Sequence, residues 1–223
     1  GITVIPVGHH NLQRLSRVYV EECVIENCDE VRELFERYLT PVYFSGHLHT
    51  QKVMKHLTEP GMGSDTYGIW EIVSNSLILP PCQYGTVTLN TDGSIDYLAK
   101  TVDVSTWAAA NGETDPNLLE FSSYAADYLQ AVIKNQIFKA LEDVPKELKE
   151  VMADFYMDIY KDYYAGVPIS YSEKKNEFGY GLWVRYMDPS VEFRQLDGMM
   201  RDTMSANNHA EIPNPVRLKR PEQ

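Results

Sequence analysis

Six histidines occur in the chain, and four of them fall in two tight pairs, His9-His10 and His47-Leu48-His49. Each pair follows a hydrophobic run: Ile2 to Val7 before the first, Val42-Tyr43-Phe44 before the second. Neutral imidazole is the commonest protein ligand for transition metals, and it exchanges protons near neutral pH. A pair at the carboxyl end of a strand stands where open α/β sheets place their ligands. Ser45-Gly46 precedes His47, and glycine lets the backbone turn sharply there. His56 and His209 are single and polar-flanked, and we read both as surface residues.

These turns need elements to hold them. Ile2 to Val7 reads as a strand buried on both faces, with Pro6 tolerable at an edge or strand end. Val31, Leu34, Phe35 and Tyr38 recur at helical spacing and predict a helix over 29–38, capped by Asn27 or Asp29. Strand, histidine turn, helix, strand, histidine turn is a βαβ order, most simply with parallel strands. Further strands are predicted at 53–57, 68–74, 84–89 and 94–100, with a loop over 59–65. The turn Asn90-Thr-Asp-Gly93 closes a hairpin, and this middle section reads as mostly antiparallel.

From about residue 105 the pattern turns helical. Asp115-Pro116 fits a cap followed by proline at the first helical position. One amphipathic helix is expected from there to about 142, with Leu118, Phe121, Ala125, Tyr128, Val132 and Leu141 on its inner face. A second starts at Asp143-Val-Pro145, with Leu148, Val151, Met152, Phe155, Ile159 and Tyr163 facing inward, and ends at Gly166-Val-Pro168. The two form an αα-hairpin. Tyr156, Tyr160, Tyr163 and Tyr164 read as core and rim, and Asp154, Asp158 and Asp162 as a solvated face. Residues 189–204 are expected to hold a last helix, and the proline-rich tail from Ile212 to be extended. We therefore divide the chain into 1–104, mixed α and β, and 105–223, mainly helical.

At 223 residues, 43% apolar and 23% charged, the chain has ordinary globular composition. Its net charge of −12 argues against a nucleic-acid duplex as partner. No apolar run approaches the ~20 residues that cross a bilayer. Cys23, Cys28 and Cys82 show no metal-site spacing and read as plain thiols. The chain does not begin with Met, and Gly1 runs straight into the first predicted strand, so we expect a piece of a longer chain. No compartment follows.

Gly8-His9-His10-Asn11-Leu12 followed by Phe44-Ser45-Gly46-His47-Leu48-His49 resembles the last two metal-binding motifs of the calcineurin-like metallophosphoesterases. The resemblance covers about residues 1–100. It implies the C-terminal half of a metallophosphoesterase β-sandwich (α/β, or α+β) with flanking helices and an appended helical subdomain. It implies two divalent ions, Mn, Fe, Zn or Co, with His9 and His47 on one metal and His49 on the other. His9 is preferred to His10 by position, and His10 is left as an acid. Asn11 stands where the family has proline. The implied reaction is two-metal hydrolysis of a phosphate mono- or diester.

The family's earlier motifs are not in this sequence. The missing N-terminal half of the domain is thus an implied partner, and the piece alone is expected to be inactive. Self-association through an exposed sheet edge is a further expectation. Two rivals accompany this reading. One is a non-catalytic interaction or regulatory module on the same scaffold. The other is a sheet domain with incidental histidines, which a His9–His47 separation beyond about 10 Å would favour.

Overall fold

A computed structural model describes residues 3–18, 22–56, 67–202 and 207–218. The loop predicted over 59–65 lies outside the described residues. The fold is mixed α+β, with two three-stranded sheets and eight α-helices among the described residues. The chain divides into two compact units. One comprises 1–76, 84–100 and 206–223; the other comprises 77–83 and 101–205. No helix among the described residues is long and apolar enough to cross a membrane.

The first unit begins with helix α1 (Cys28–Arg37), followed by β1 (Val42–Ser45), β2 (Lys52–His56) and β3 (Ile69–Val73). β3 lies in the middle, parallel to β1 and antiparallel to β2. The hairpin β4 (Gln83–Leu89) and β5 (Ile95–Thr101) begins the second sheet. Strand β6 (His209–Ile212) completes it by pairing antiparallel with β5, from Ile95 opposite Ile212 to Leu98 opposite His209.

Side chains alternate between faces of a strand. Val42 and Ile72 of the first sheet therefore share a core with Ile95, Tyr97, Ala210 and Ile212 of the second. Tyr43 and Ile69 turn the other way and pack with Leu12, Tyr67 and the α1 residues Val31 and Phe35. Helix, sheet and sheet thus form three layers within this unit.

Several expectations need correction. Residues 3–7 are not a doubly buried strand. The segment runs parallel beside β1 and meets it through a bridge at Val7–Phe44, with Gly8 N–H donating to the Phe44 carbonyl. Val4 and Val7 are 60% and 77% exposed, because nothing among the described residues covers that side. Pro6 has no N–H to give a ladder, although its carbonyl accepts from Phe44 N–H. In α1, Leu34 is exposed, as is Tyr38 at its C-cap; Val31 and Phe35 make the contact. Strand β6 was not foreseen in the tail, since its partner lies more than a hundred residues away.

The second unit holds α2 (Val104–Ala110), α3 (Pro116–Leu119), α4 (Phe121–Ala140), α5 (Lys146–Ala165), α6 (Tyr171–Lys174), α7 (Phe178–Met187) and α8 (Val191–Arg201). Asp115 caps α3 as expected, its carboxylate accepting from Asn117 N–H at 2.9 Å. The single helix expected over 116–142 is broken at Glu120, the N-cap of α4. Its predicted inner face is also wrong in part: Leu141 is buried as expected, but Leu129 and Ile137 are the buried residues of α4, while Tyr128 and Val132 lie exposed. α4 is apolar on more than one side, so periodicity alone does not choose the face that packs.

α5 is the hub of this unit. Met152, Ala153, Phe155, Tyr156, Met157, Ile159, Tyr163 and Tyr164 are all buried. Gly166 ends the helix at φ 71°, a left-handed position where glycine carries no Cβ penalty. α7 approaches α5 closely at Gly179, where a Cβ would lie 2.6 Å from Phe155 Cβ. Trp183 of α7 is fully buried and donates from Nε1 to the Met152 carbonyl at 2.9 Å. The three cysteines are free thiols.

Candidate functional site

The two histidine turns meet at the end of β1. His9 carbonyl accepts from the N–H groups of Gly46 (3.1 Å) and His47 (2.9 Å). The Tyr43 hydroxyl donates to the His10 carbonyl at 2.8 Å. This close approach leaves no room for a side chain at position 8, where a Cβ would collide with the Tyr43 hydroxyl. The backbones of the two turns are therefore clasped together before any imidazole contact is counted.

The rings then converge. His47 Nδ1 and His9 Nε2 lie 3.1 Å apart, a hydrogen bond in which one nitrogen carries the proton. The His10 ring stacks on His47 with centroids 4.6 Å apart, and His9 stands edge-on to both. The His9–His47 separation beyond about 10 Å that would favour incidental histidines is not observed. His49 is exposed at φ 54° and touches the cluster through its electrostatic effect on His47.

Beneath the cluster lies a residue that the sequence reading passed over. Glu71 of β3 is fully buried. Its Oε1 accepts from Leu12 N–H (2.8 Å), Ser45 Oγ (2.9 Å) and Asn11 Nδ2 (3.1 Å). Asn11 Nδ2 also donates to Ser45 Oγ at 2.8 Å. Burial pushes the Glu71 carboxyl above its ordinary range, and these donors together with Gln13 N–H oppose that shift. A signal was available: Glu71 is the one charged residue in an otherwise apolar strand, Ile69-Trp-Glu-Ile-Val73.

Partial desolvation, then the neighbouring His10, His9 and His49, hold the His47 imidazole below its ordinary 6.5. His56 is lowered too, first by burial and then by Arg32. Between these lowered values and 6.5 the unfolded chain binds more protons than the folded one. Stability from both residues is therefore complete above 6.5 and is lost as pH falls through the folded values. Glu71 acts with the opposite sign, since a raised carboxyl binds more protons when folded. We expect a His47→Gln, His56→Gln double variant to lose less of its urea midpoint than the parent between about pH 7 and about pH 5. Parallel midpoint curves for the two proteins would refute this.

The metal centre implied by His9, His47 and His49 is not assembled. Among the described residues no group of three or more His, Cys, Asp or Glu side chains is placed to hold a metal ion. His49 stays apart from the three-ring cluster, and the carboxylate of the adjoining strand, Glu71, has Oε1 engaged by the turns themselves.

Residues 103–206 match the family described as the C-terminal domain of cyclic nucleotide phosphodiesterase. That stretch is the helical part of the chain, somewhat under half of it. The match overturns the assignment to the calcineurin-like metallophosphoesterases, and with it the two-metal phosphoesterase function. No curated protein matches the chain.

Proposed function

We propose that the protein is a phosphodiesterase that opens the ring of a cyclic nucleotide, with the His9, His10 and His47 imidazoles facing the phosphate. The observation that carries the substrate class is the match of residues 103–206 to the C-terminal domain of cyclic nucleotide phosphodiesterase. The location rests on three imidazoles gathered at one strand end, two of them directly hydrogen-bonded.

Hydrolysis of a cyclic phosphodiester adds water to phosphorus and breaks one P–O ester bond. The attacking water must lose a proton, and the leaving ribose oxygen must gain one. His47, kept neutral near pH 7 by partial desolvation and then by its neighbouring histidines, suits the accepting role. A second imidazole beside it, His9 or His10, is placed for the donating role and for hydrogen-bonding the phosphate oxygens as charge gathers there. The net charge of −12 repels an anionic substrate at long range, so attraction must come from local groups such as these.

The test incubates purified protein with 3′,5′- and 2′,3′-cyclic nucleotides and follows the phosphomonoester by 31P NMR. One arm contains chelator, and another contains added Mn, Fe, Zn or Co. We expect one ring class to open to a phosphomonoester. Both rings intact in every arm would overturn the proposal.

A further inference from the structure

We propose that Glu71 is the positioning residue of the imidazole cluster, its buried carboxylate fastening the two histidine turns to the central strand β3. Asn11 follows His9-His10 by one residue, and Ser45 precedes Gly46-His47. Both side chains reach the same oxygen, Glu71 Oε1, and Asn11 also bonds Ser45 directly. Leu12 N–H, from the first turn, is the third donor to that oxygen. One atom on the middle strand thus joins a turn near residue 10 to another near residue 46.

The rest of the carboxylate fits a fastening role. Glu71 is fully buried, and no salt bridge to it is found among the described residues. Among the described residues no side-chain donor reaches Glu71 Oε2, and Asn11 Oδ1 has no hydrogen-bond partner. A carboxylate placed only for stability would cost desolvation that an apolar residue avoids. Glu71 occupies a position whose strand neighbours, Trp70 and Ile72, are apolar, and its hydrogen bonds go to the histidine-bearing turns. With the turns so fixed, the His9–His47 contact of 3.1 Å needs no further adjustment when a substrate arrives.

The consequence for hydrolysis rests on the function proposed above, but the positioning itself is read without substrate. Selective 15N labelling of histidine rings reports the proton shared between His47 Nδ1 and His9 Nε2. His209, exposed on β6, is the internal control. Glu71→Gln keeps an acceptor at Oε1 and should keep the locked ring-nitrogen pattern. Glu71→Leu removes the acceptor and should collapse the His9 and His47 signals to tautomer-averaged values while His209 stays where it is in wild type, with the helical far-UV signal unchanged.

A folded Glu71→Leu protein that retains the locked pattern would overturn the inference, as would a Glu71→Gln protein that loses it. If Glu71→Leu does not fold, Ser45→Ala decides: it removes one donor to Oε1 and should move His47 and His9 while leaving His209 still. Unmoved rings in Ser45→Ala count against the role. Where wild type opens a cyclic nucleotide, Glu71→Leu should lower kcat about 10²-fold with a smaller change in KM, and Glu71→Gln should restore most of it. An inactive wild type with the expected ring signals would remove the proposed function and leave the positioning role standing.

Discussion

Replacing Trp183 by alanine is expected to destabilise the helical unit by about 3–5 kcal/mol. The side chain is fully buried, so its truncation removes apolar area and leaves a cavity that a packed interior closes only in part. It stands 5.5 Å from the Tyr156 ring, in the middle of the buried surface of α5. The loss also strips the Met152 carbonyl of its indole donor. Trp183→Phe separates the two effects. It retains much of the ring volume but not the N–H, and we expect a cost of about 1–2 kcal/mol. Urea unfolding followed by far-UV signal is the measurement, and the midpoint should shift with little change in slope. A Trp183→Ala loss below about 1 kcal/mol would mean that α7 does not anchor on α5.

His47→Ala is expected to lower the opening of a cyclic nucleotide by about 10²–10⁴-fold, the usual range for removing a positioned acid or base. His47 is the ring common to both close contacts, hydrogen-bonded to His9 and stacked on His10. Its lowered pKa means that, as a base, it is already deprotonated at neutral pH. The rate should therefore rise with pH through the acid range, with its midpoint below 6.5. His209→Ala, a change on the exposed face of β6, should leave the rate unaltered. Full activity in His47→Ala would remove the cluster from the chemistry. A profile with its midpoint above 6.5 would assign the base to another group.

The turn of phrase shared with the calcineurin-like metallophosphoesterases, a glycine and paired histidines after a strand, is a local pattern. Such a pattern specifies where imidazoles will stand, because the strand before them and the glycine beside them set the backbone. It does not specify which chemistry they perform, which depends on groups brought in from elsewhere. Here the group brought in is Glu71, and it engages Asn11, Ser45 and the backbone of Leu12. Asn11, which stands where that family has proline, supplies the amide that links the two turns.

What the sequence determined by itself was local. β1, β2, β3 and the β4–β5 hairpin stand where apolar runs and the Asn90–Gly93 turn put them. Asp115 caps its helix, and Gly166 ends α5, because capping and left-handed φ depend on residues within one turn. The nearness of His9 to His47 also followed from sequence, since both pairs lie at the same end of neighbouring parallel segments. Only the tertiary structure decided the rest. It chose which side of α4 is buried, because two of its sides are apolar and only packing separates them. It left residues 3–7 as an exposed edge, because burial depends on what lies beside a segment. It paired β6 with β5 and buried Glu71 under the histidine turns, because those contacts join residues far apart in the chain.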